Sequence, residues 1–134
     1  MEKLVIDATS HSPAIVFDPG AGKFTITGVS RPEDVRAFYY PVLEWLRTFL
    51  QDEIHTGKTV YDEDHPLILE IRLKYFNSSS AKFLFDIFSE IGQLKEAGQK
   101  VIIRWYYDEG DDDMLEAGEE LSEIAEIPFE YIEV

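Results

Sequence analysis

The spacing of apolar residues predicts three short strands in the first part of the chain. Runs rich in β-branched and aromatic residues occupy Ala14 to Phe17 and Lys23 to Thr27, and the sequence DPGAG lies between them. A dense turn signal between two such runs is typical of a β-hairpin. A further short strand is expected at Leu4 to Ile6.

Residues 67–76 carry the clearest alternation of apolar and polar positions. Aliphatic side chains from Leu67 to Leu73 fall on one face, and charged side chains fall on the other. This pattern predicts a strand with one covered and one partly wet face. Val101 to Tyr107 and Phe129 to Val134 predict two more strands.

The first helix is predicted to begin at a capping box. Ser30 is followed by Pro32 and then by Glu33, which is the arrangement of a Ser cap with a proline in the first turn. From Val35 to Leu50, apolar residues recur close to the spacing of one buried helical face. Pro41 interrupts this run, so a kink or a break into two segments is expected there.

Two further helices follow the alternating strand. Apolar residues from Phe83 to Leu94 predict a helix that begins near Ala81 and ends with Gly98 at the C′ position. Residues 113–126 predict an acidic third helix, capped by one of the aspartates at 111–113. The predicted order is β-β-β-α-β-α-β-α-β, which indicates a mixed sheet layered with helices.

Composition fits one globular domain spanning residues 1–134. The chain is 45% hydrophobic, enough to bury a core, and it contains no cysteine for disulfides or thiolate chemistry. No apolar run reaches the roughly 18 residues of a membrane span, and the start, MEKLVIDATS, lacks a secretion-signal pattern. A cytoplasmic protein without membrane contact is therefore expected.

The charge of the chain disfavours nucleic acid as a partner. The formal net charge is −15, whereas binding to phosphate backbones requires clustered Lys and Arg. The last 30 residues carry 12 acidic and no basic side chains. A solvated helix face explains such a run, and a basic protein partner is the alternative.

No residue pattern supports an active site, a metal site or a cofactor site. His55 and the DEDH sequence at residues 62–65 lie in a polar segment, 51–66, that is predicted to be a long loop without metal-ligand spacing. Residues 79–82 fit the S-x-x-K motif, but its companion motifs are absent. Residues 108–113 resemble a calcium loop only in charge. These negative results favour a binding or regulatory module that is not an enzyme.

The stretch YFNSSSAK at residues 75–82 places four polar residues, Asn77 to Ser80, at a strand-to-helix junction. Free backbone N–H groups and the positive end of the helix dipole converge at such a junction. A phosphate is electrostatically favourable there. The alternative is that these side chains only cap the helix and turn the chain.

Five short motifs together are specific enough to point to a known family. They are SPAI at residues 12–15, GVSRPE at 28–33, FYYP with WL at 38–46, YFNSSS at 75–80, and RWYYD at 104–108 followed by acidic residues. In their order and spacing they resemble the SiaC family of bacterial regulatory phosphoproteins, over nearly the whole chain.

This resemblance implies a STAS-like layered α/β fold and a non-enzymatic role as a phosphorylation-controlled switch. The family's type member, when unphosphorylated, binds and activates a diguanylate cyclase. A kinase of the anti-sigma type phosphorylates it, and a metal-dependent protein phosphatase restores it. The resemblance thus implies partner switching in c-di-GMP signalling and biofilm regulation.

The resemblance also implies a phosphoacceptor. In this family it is the hydroxyl residue directly after Asn in an Asn-Thr-Ser-Ser-like motif, which is Ser78 here. Ser replaces the usual Thr, so the acceptor is kept and the kinase preference stays open. Ser79 and Ser80 then become the expected helix caps. The segment at 51–66 is longer than the family pattern, which leaves partner contacts there open.

Partner contacts are expected around the N-terminus of the second helix. By proximity to Ser78, the expected contact residues are Tyr75, Asn77, Ser79, Ser80 and Lys82. Two alternatives remain open. One is a constitutive adaptor that binds through the acidic third helix, and the other is an enzyme or small-ligand module with a pocket near Tyr75, Trp105 and Tyr106.

Overall fold

The computed structural model describes residues 1–134 as six strands and three helices, in the order predicted. The strands are β1 (Leu4–Ile6), β2 (Ala14–Asp18), β3 (Lys23–Ser30), β4 (Leu67–Phe76), β5 (Val101–Tyr107) and β6 (Glu130–Glu133). The helices are α1 (Val35–Phe49), α2 (Ser78–Glu96) and α3 (Asp112–Ala125). A π-helical turn, Leu50–Ile54, extends α1. None of these helices has the length and apolar character needed to span a membrane.

All six strands form one mixed sheet in which spatial order follows chain order. The first three strands pair antiparallel, and β3 to β6 pair parallel with one helix in each crossover. Phe24 is paired with Leu69, and Leu69 with Ile103, so buried side chains from successive strands share one face. The mixed α/β fold is confirmed.

The helices form one layer on that face. Helix α1 packs against α2, and α2 packs against α3. The alternation predicted for residues 67–76 is confirmed up to Leu73, because the aliphatic residues are buried and Glu70 and Arg72 lie on the other face. This second face has no helix over it, and it carries the ion pair between Lys23 Nζ and Glu70 Oε1 at 3.2 Å.

Trp105 is the largest fully buried side chain and lies where the sheet meets α3. Its indole N–H donates to the carbonyl of Met114 at 2.9 Å. Its ring packs edge-on to Phe76 with centroids 5.9 Å apart, and is stacked with Phe129 at 6.0 Å. Trp105 thus joins the end of β4 to the carboxyl-terminal part of the chain.

The predicted start of the first helix is wrong. Ser30 is the last residue of β3, and the helix begins at Val35 with Asp34 as its N-cap. The Asp34 carboxylate accepts the N–H of Ala37 at 3.0 Å. The hydroxyl of Ser30 is instead buried between helices, where it has other hydrogen-bond partners.

The predicted break at Pro41 is also wrong, because α1 runs through this residue without interruption. Pro41 lies on the exposed side of the helix, while Tyr39, Val42 and Leu43 hold the opposite side in the core. Tertiary packing of one face therefore outweighs the backbone hydrogen bond that proline removes.

The predicted loop at 51–66 is partly ordered by hydrogen bonds to the rest of the fold. Its first four residues belong to the π-helical turn. Tyr61 is buried; its backbone N–H donates to the Gln99 side chain at 2.7 Å and its hydroxyl to the Pro19 carbonyl at 2.9 Å. The segment is thus anchored at its middle.

Candidate functional site

The amino ends of all three helices lie at the edge of the sheet where the parallel strands end. Each helix follows directly after β3, β4 or β5, so each begins at the carboxyl end of its strand. Asp34, Asn77 and Asp111 cap them through side-chain oxygens that accept backbone N–H groups. The predicted capping of the third helix by an aspartate is confirmed. The positive ends of three helix dipoles therefore lie along the same edge of the sheet.

A β-bulge near the end of β4 changes which side chains face outward. Gly28 is paired with Leu73, but the next residue of β3, Val29, is paired with Tyr75, so Lys74 is an extra residue in β4. A positive φ of 111° at Gly28 accompanies the irregularity. As a result, Lys74 and Tyr75 are both exposed in succession, and Tyr75 keeps 50% of its surface.

The bulge also turns Phe76 toward the helices, where it meets Trp105. Asn77 follows at once, and its backbone N–H donates to the Ser30 carbonyl at 3.1 Å. The chain therefore enters α2 from a fixed position in the centre of the sheet.

The three consecutive serines have different environments. Ser78 and Ser79 are the first two residues of α2, and both are exposed. Ser80 is fully buried, with 0% of its surface accessible. Asn77 Oδ1 accepts the N–H of Ser80 at 2.9 Å, so the expectation that Ser79 and Ser80 cap the helix is wrong. Only two of the three hydroxyls can be reached by another protein in the folded chain.

Ser80 belongs to a buried hydroxyl cluster formed by Ser30, Tyr39 and Ser80. Its hydroxyl lies 2.8 Å from the Ser30 hydroxyl and 3.0 Å from the Ser30 carbonyl oxygen. The Tyr39 hydroxyl lies 2.5 Å from the Ser30 hydroxyl. Burial raises the pKa of Tyr39, and its hydrogen bonds to both serines oppose that rise. The cluster joins the ends of β3 and α2 to α1.

Sequence reasoning missed this cluster, although one signal pointed to part of it. Ser80 precedes Phe83, Leu84 and Ile87 by three, four and seven residues, which is the spacing of one helical face. Extending the helix back to Ser78 places Ser80 on the buried side. No comparable signal links Ser80 to Ser30, which lies 50 residues away.

Lys82 lies one helical turn after Ser78 and is well exposed. Its ammonium is 2.7 Å from Asp86 Oδ2 and 4.7 Å from the centroid of the Phe83 ring. The same ring is stacked on Tyr39 at 5.5 Å and meets the half-exposed Tyr40 edge-on at 5.8 Å. A charged side chain and an aromatic surface therefore adjoin the exposed serines.

Of the contact residues predicted around Ser78, four lie at the surface or close to it. Asn77, Ser79 and Lys82 belong to the first turns of α2 and its cap, and Tyr75 is exposed two positions earlier. Ser80 is different, because its burial removes it from any surface that a partner could contact. The binding roles of the other four remain predictions.

The aromatic pocket considered for a small ligand is not formed. Trp105 is buried under the helices, whereas Tyr106 points to the opposite face of the sheet, where its hydroxyl donates to Glu70. A cavity of about 720 Å³ lies near the other end of β3 and β4 and is lined by residues such as Lys23, Tyr61 and Arg104. No group of three or more His, Cys, Asp or Glu side chains is placed to hold a metal ion.

Comparison with known proteins agrees with this geometry. The family model described as SiaC family regulatory phosphoprotein matches residues 6–134. The chain belongs to the SiaC family. An uncharacterised protein of Pseudomonas aeruginosa strain UCBPP-PA14 is 33% identical to it over 129 residues, which cover 96% of this chain and 94% of that protein.

Solved structures of SiaC extend the match to three dimensions. The crystal structure of apo-SiaC from Pseudomonas aeruginosa has a TM-score of 0.77 and 32% identity, covering 99% of this chain and 98% of that one. A chain in the crystal structure of diguanylate cyclase SiaD in complex with its activator SiaC, from the same organism, has a TM-score of 0.80 and 32% identity. It covers 98% of this chain and 99% of that one. The predicted SiaC-family fold is confirmed.

Proposed function

We propose that this SiaC-family protein is a non-enzymatic signalling switch that is turned by reversible phosphorylation of Ser78. In its unphosphorylated form it binds and regulates a protein partner, such as a diguanylate cyclase, in the bacterial cytoplasm. A kinase of the anti-sigma type adds the phosphate and a metal-dependent phosphatase removes it. The observation that carries the proposal is the different exposure of otherwise equivalent serines.

Three facts support Ser78 as the acceptor. Its side chain is exposed at the first position of α2, directly after the capping Asn77. Ser80 is excluded by burial in the hydroxyl cluster. The position after Asn is also the one that the family resemblance implies. Ser79 is the exposed neighbour that the experiments must separate from Ser78.

The partner is proposed by analogy with the neighbour that crystallised as an activator bound to a diguanylate cyclase. The exposed residues around Ser78 provide a mixed surface for such a contact, with the aromatic ring of Tyr75, the ammonium of Lys82 and the polar side chains of Asn77 and Ser79. A phosphate adds about −1.5 to −2 charge, which a single lysine only partly balances, and burying the remaining charge against a partner is unfavourable. Phosphorylation would therefore release the partner.

Calorimetry with the cyclase encoded nearest to this gene is the direct test. Ser78→Asp should weaken binding at least tenfold, while Ser78→Ala should bind like the parent protein. The charge-matched control Ser89→Asp, at an exposed position of α2 outside the proposed contact residues, should also bind like the parent protein. After expression in the native host, the intact mass should show one added phosphate, and fragmentation of the peptide 75–82 should place it on Ser78. Unchanged binding by Ser78→Asp, or a phosphate found only on Ser79, would reject the proposal.

A further inference from the structure

Lys82 forms an ion pair with Asp86 in which the order of the two charges along the helix is the less favourable one. Its ammonium reaches forward by one turn to Asp86, at 2.7 Å. On a helix, a pair with the acidic residue on the N-terminal side is the stronger arrangement, and here the basic residue comes first. Side chains also lean toward the helix N-terminus, and Lys82 must reach the other way to meet Asp86.

A phosphate on Ser78 would offer Lys82 the favourable arrangement. Ser78 and Lys82 are four residues apart in the same helix, so their side chains are neighbours on one face. The acidic group would then lie on the N-terminal side, and it would carry nearly twice the charge of a carboxylate. The side chain of Lys82 is 66% exposed, so solvent surrounds most of it and leaves a path to a new partner.

We propose that phosphorylation of Ser78 changes the partner of Lys82 from Asp86 to the phosphate. The inference rests on the proposed phosphorylation of Ser78 and adds a mechanism to it. The ammonium moves back by one to two turns, away from the ring of Phe83 over which it lies at 4.7 Å. The modification thereby alters α2 beyond the modified residue.

The change would have two effects on the surface between α1 and α2. Asp86 loses its cation, which adds an unpaired negative charge to this surface. The ring of Phe83, which is packed between Tyr39 and Tyr40, loses the cation over its face. A partner that binds this surface would therefore change its affinity on phosphorylation without contacting the phosphate.

Phosphoserine placed at position 78 by genetic encoding gives a test that needs no kinase. Titration followed by ³¹P NMR measures the midpoint of the second ionisation of the phosphate in the parent chain, in Lys82→Gln and in Lys95→Gln. Removing a cation beside the phosphate disfavours the dianion, so the midpoint should rise by about 0.3 of a pH unit in Lys82→Gln. Lys95→Gln, in the last turn of the same helix, should leave it unchanged.

The resonances of the Phe83 ring give a second readout. They should shift when Ser78 is phosphorylated in the parent chain, and shift much less in Lys82→Gln. Equal midpoints in all three chains, or a ring that does not respond to phosphorylation, would overturn the role of Lys82. A native protein that carries no phosphate on Ser78 would instead refute the proposed function, so the two failures are distinguishable.

Discussion

Because Gly118 lies close to Trp105, we expect Gly118→Ala to destabilise the fold, although helix propensity alone predicts that it stabilises it. Gly118 lies in the middle of α3, where alanine is normally better than glycine by about 1 kcal/mol. A Cβ at this position, however, would lie 2.5 Å from Trp105 Nε1 and 2.6 Å from Trp105 Cδ1. Contacts this short force either the helix or the indole to move.

The cost of that movement can be compared with the gain in propensity. Overpacking a full core typically costs about 1–3 kcal/mol. A displaced indole also weakens the hydrogen bond from its N–H to the Met114 carbonyl, which is worth about 1 kcal/mol. Trp105 is fully buried against Phe76 and Phe129, so it has no free space to enter. Gly118→Ala is therefore expected to destabilise the fold by about 1–3 kcal/mol.

Urea unfolding followed by tryptophan fluorescence and circular dichroism measures this change. Gly92→Ala is the matched control, because it makes the same substitution inside α2, where the new Cβ would lie 3.2 Å from the flexible end of Ile127. The control should change the free energy of unfolding by less than about 0.5 kcal/mol, or stabilise the fold. Equal stabilisation by both substitutions would refute the steric argument.

Three other predictions concern polar groups of the candidate site and the open sheet face. Tyr39→Phe should lower the free energy of unfolding by about 0.5–1.5 kcal/mol in urea, since one hydroxyl of the buried cluster is lost while the two serines still bond each other. Asn77→Ala should cost about 1 kcal/mol through the lost helix cap, and Ser79→Ala should be nearly neutral; equal losses would contradict the assignment of the cap. The Tyr106 hydroxyl, with help from Lys23, holds the pKa of Glu70 below its usual range, so this carboxylate contributes stability above about pH 4.3 that is lost as pH falls through the lowered value. Tyr106→Phe should therefore reduce the loss of stability between neutral and acid pH, and an unchanged pH profile of the urea midpoint would count against this.

The elements of the fold were predictable where local spacing and tertiary structure agree. Leu67 to Phe76 was recognised because its alternation matches the two faces of a half-covered sheet. Gly98 was recognised as the residue that follows the C-cap of α2, because that position often has a positive φ, here 90°, which suits glycine. In both cases the signal lies within a few residues.

The errors arose where distant residues decide the structure. Ser30 has a local pattern typical of a helix cap, but its partners are Tyr39 and Ser80, and the latter is 50 residues away. Pro41 is tolerated because the opposite face of α1 is held in the core. The bulge at Lys74 depends on pairing with β3, which no local pattern in β4 records.

The candidate site was predictable only in part, for the same reason. The serine-rich strand-to-helix junction was located correctly from the sequence, but the helix begins at Ser78, three residues before the predicted start near Ala81. To distinguish the exposed Ser78 and Ser79 from the buried Ser80, one must know which face of α2 packs against the core. Three identical residues become chemically different only through the fold.

The central position of β4 in the sheet has a consequence for the backbone around Ser78. β4 is paired with β3 along its length and with β5 from Leu67 to Ile71, so the backbone amides in these ladders should exchange with solvent only through large openings of the fold. The amides of Ser78 and Ser79, by contrast, come before the first capped amide of α2. Their hydrogens should exchange with water without any opening of the fold. The proposed phosphoacceptor, Ser78, thus lies two residues after the end of β4. A modifying enzyme would therefore meet an exposed hydroxyl directly after a strand whose paired part opens only rarely.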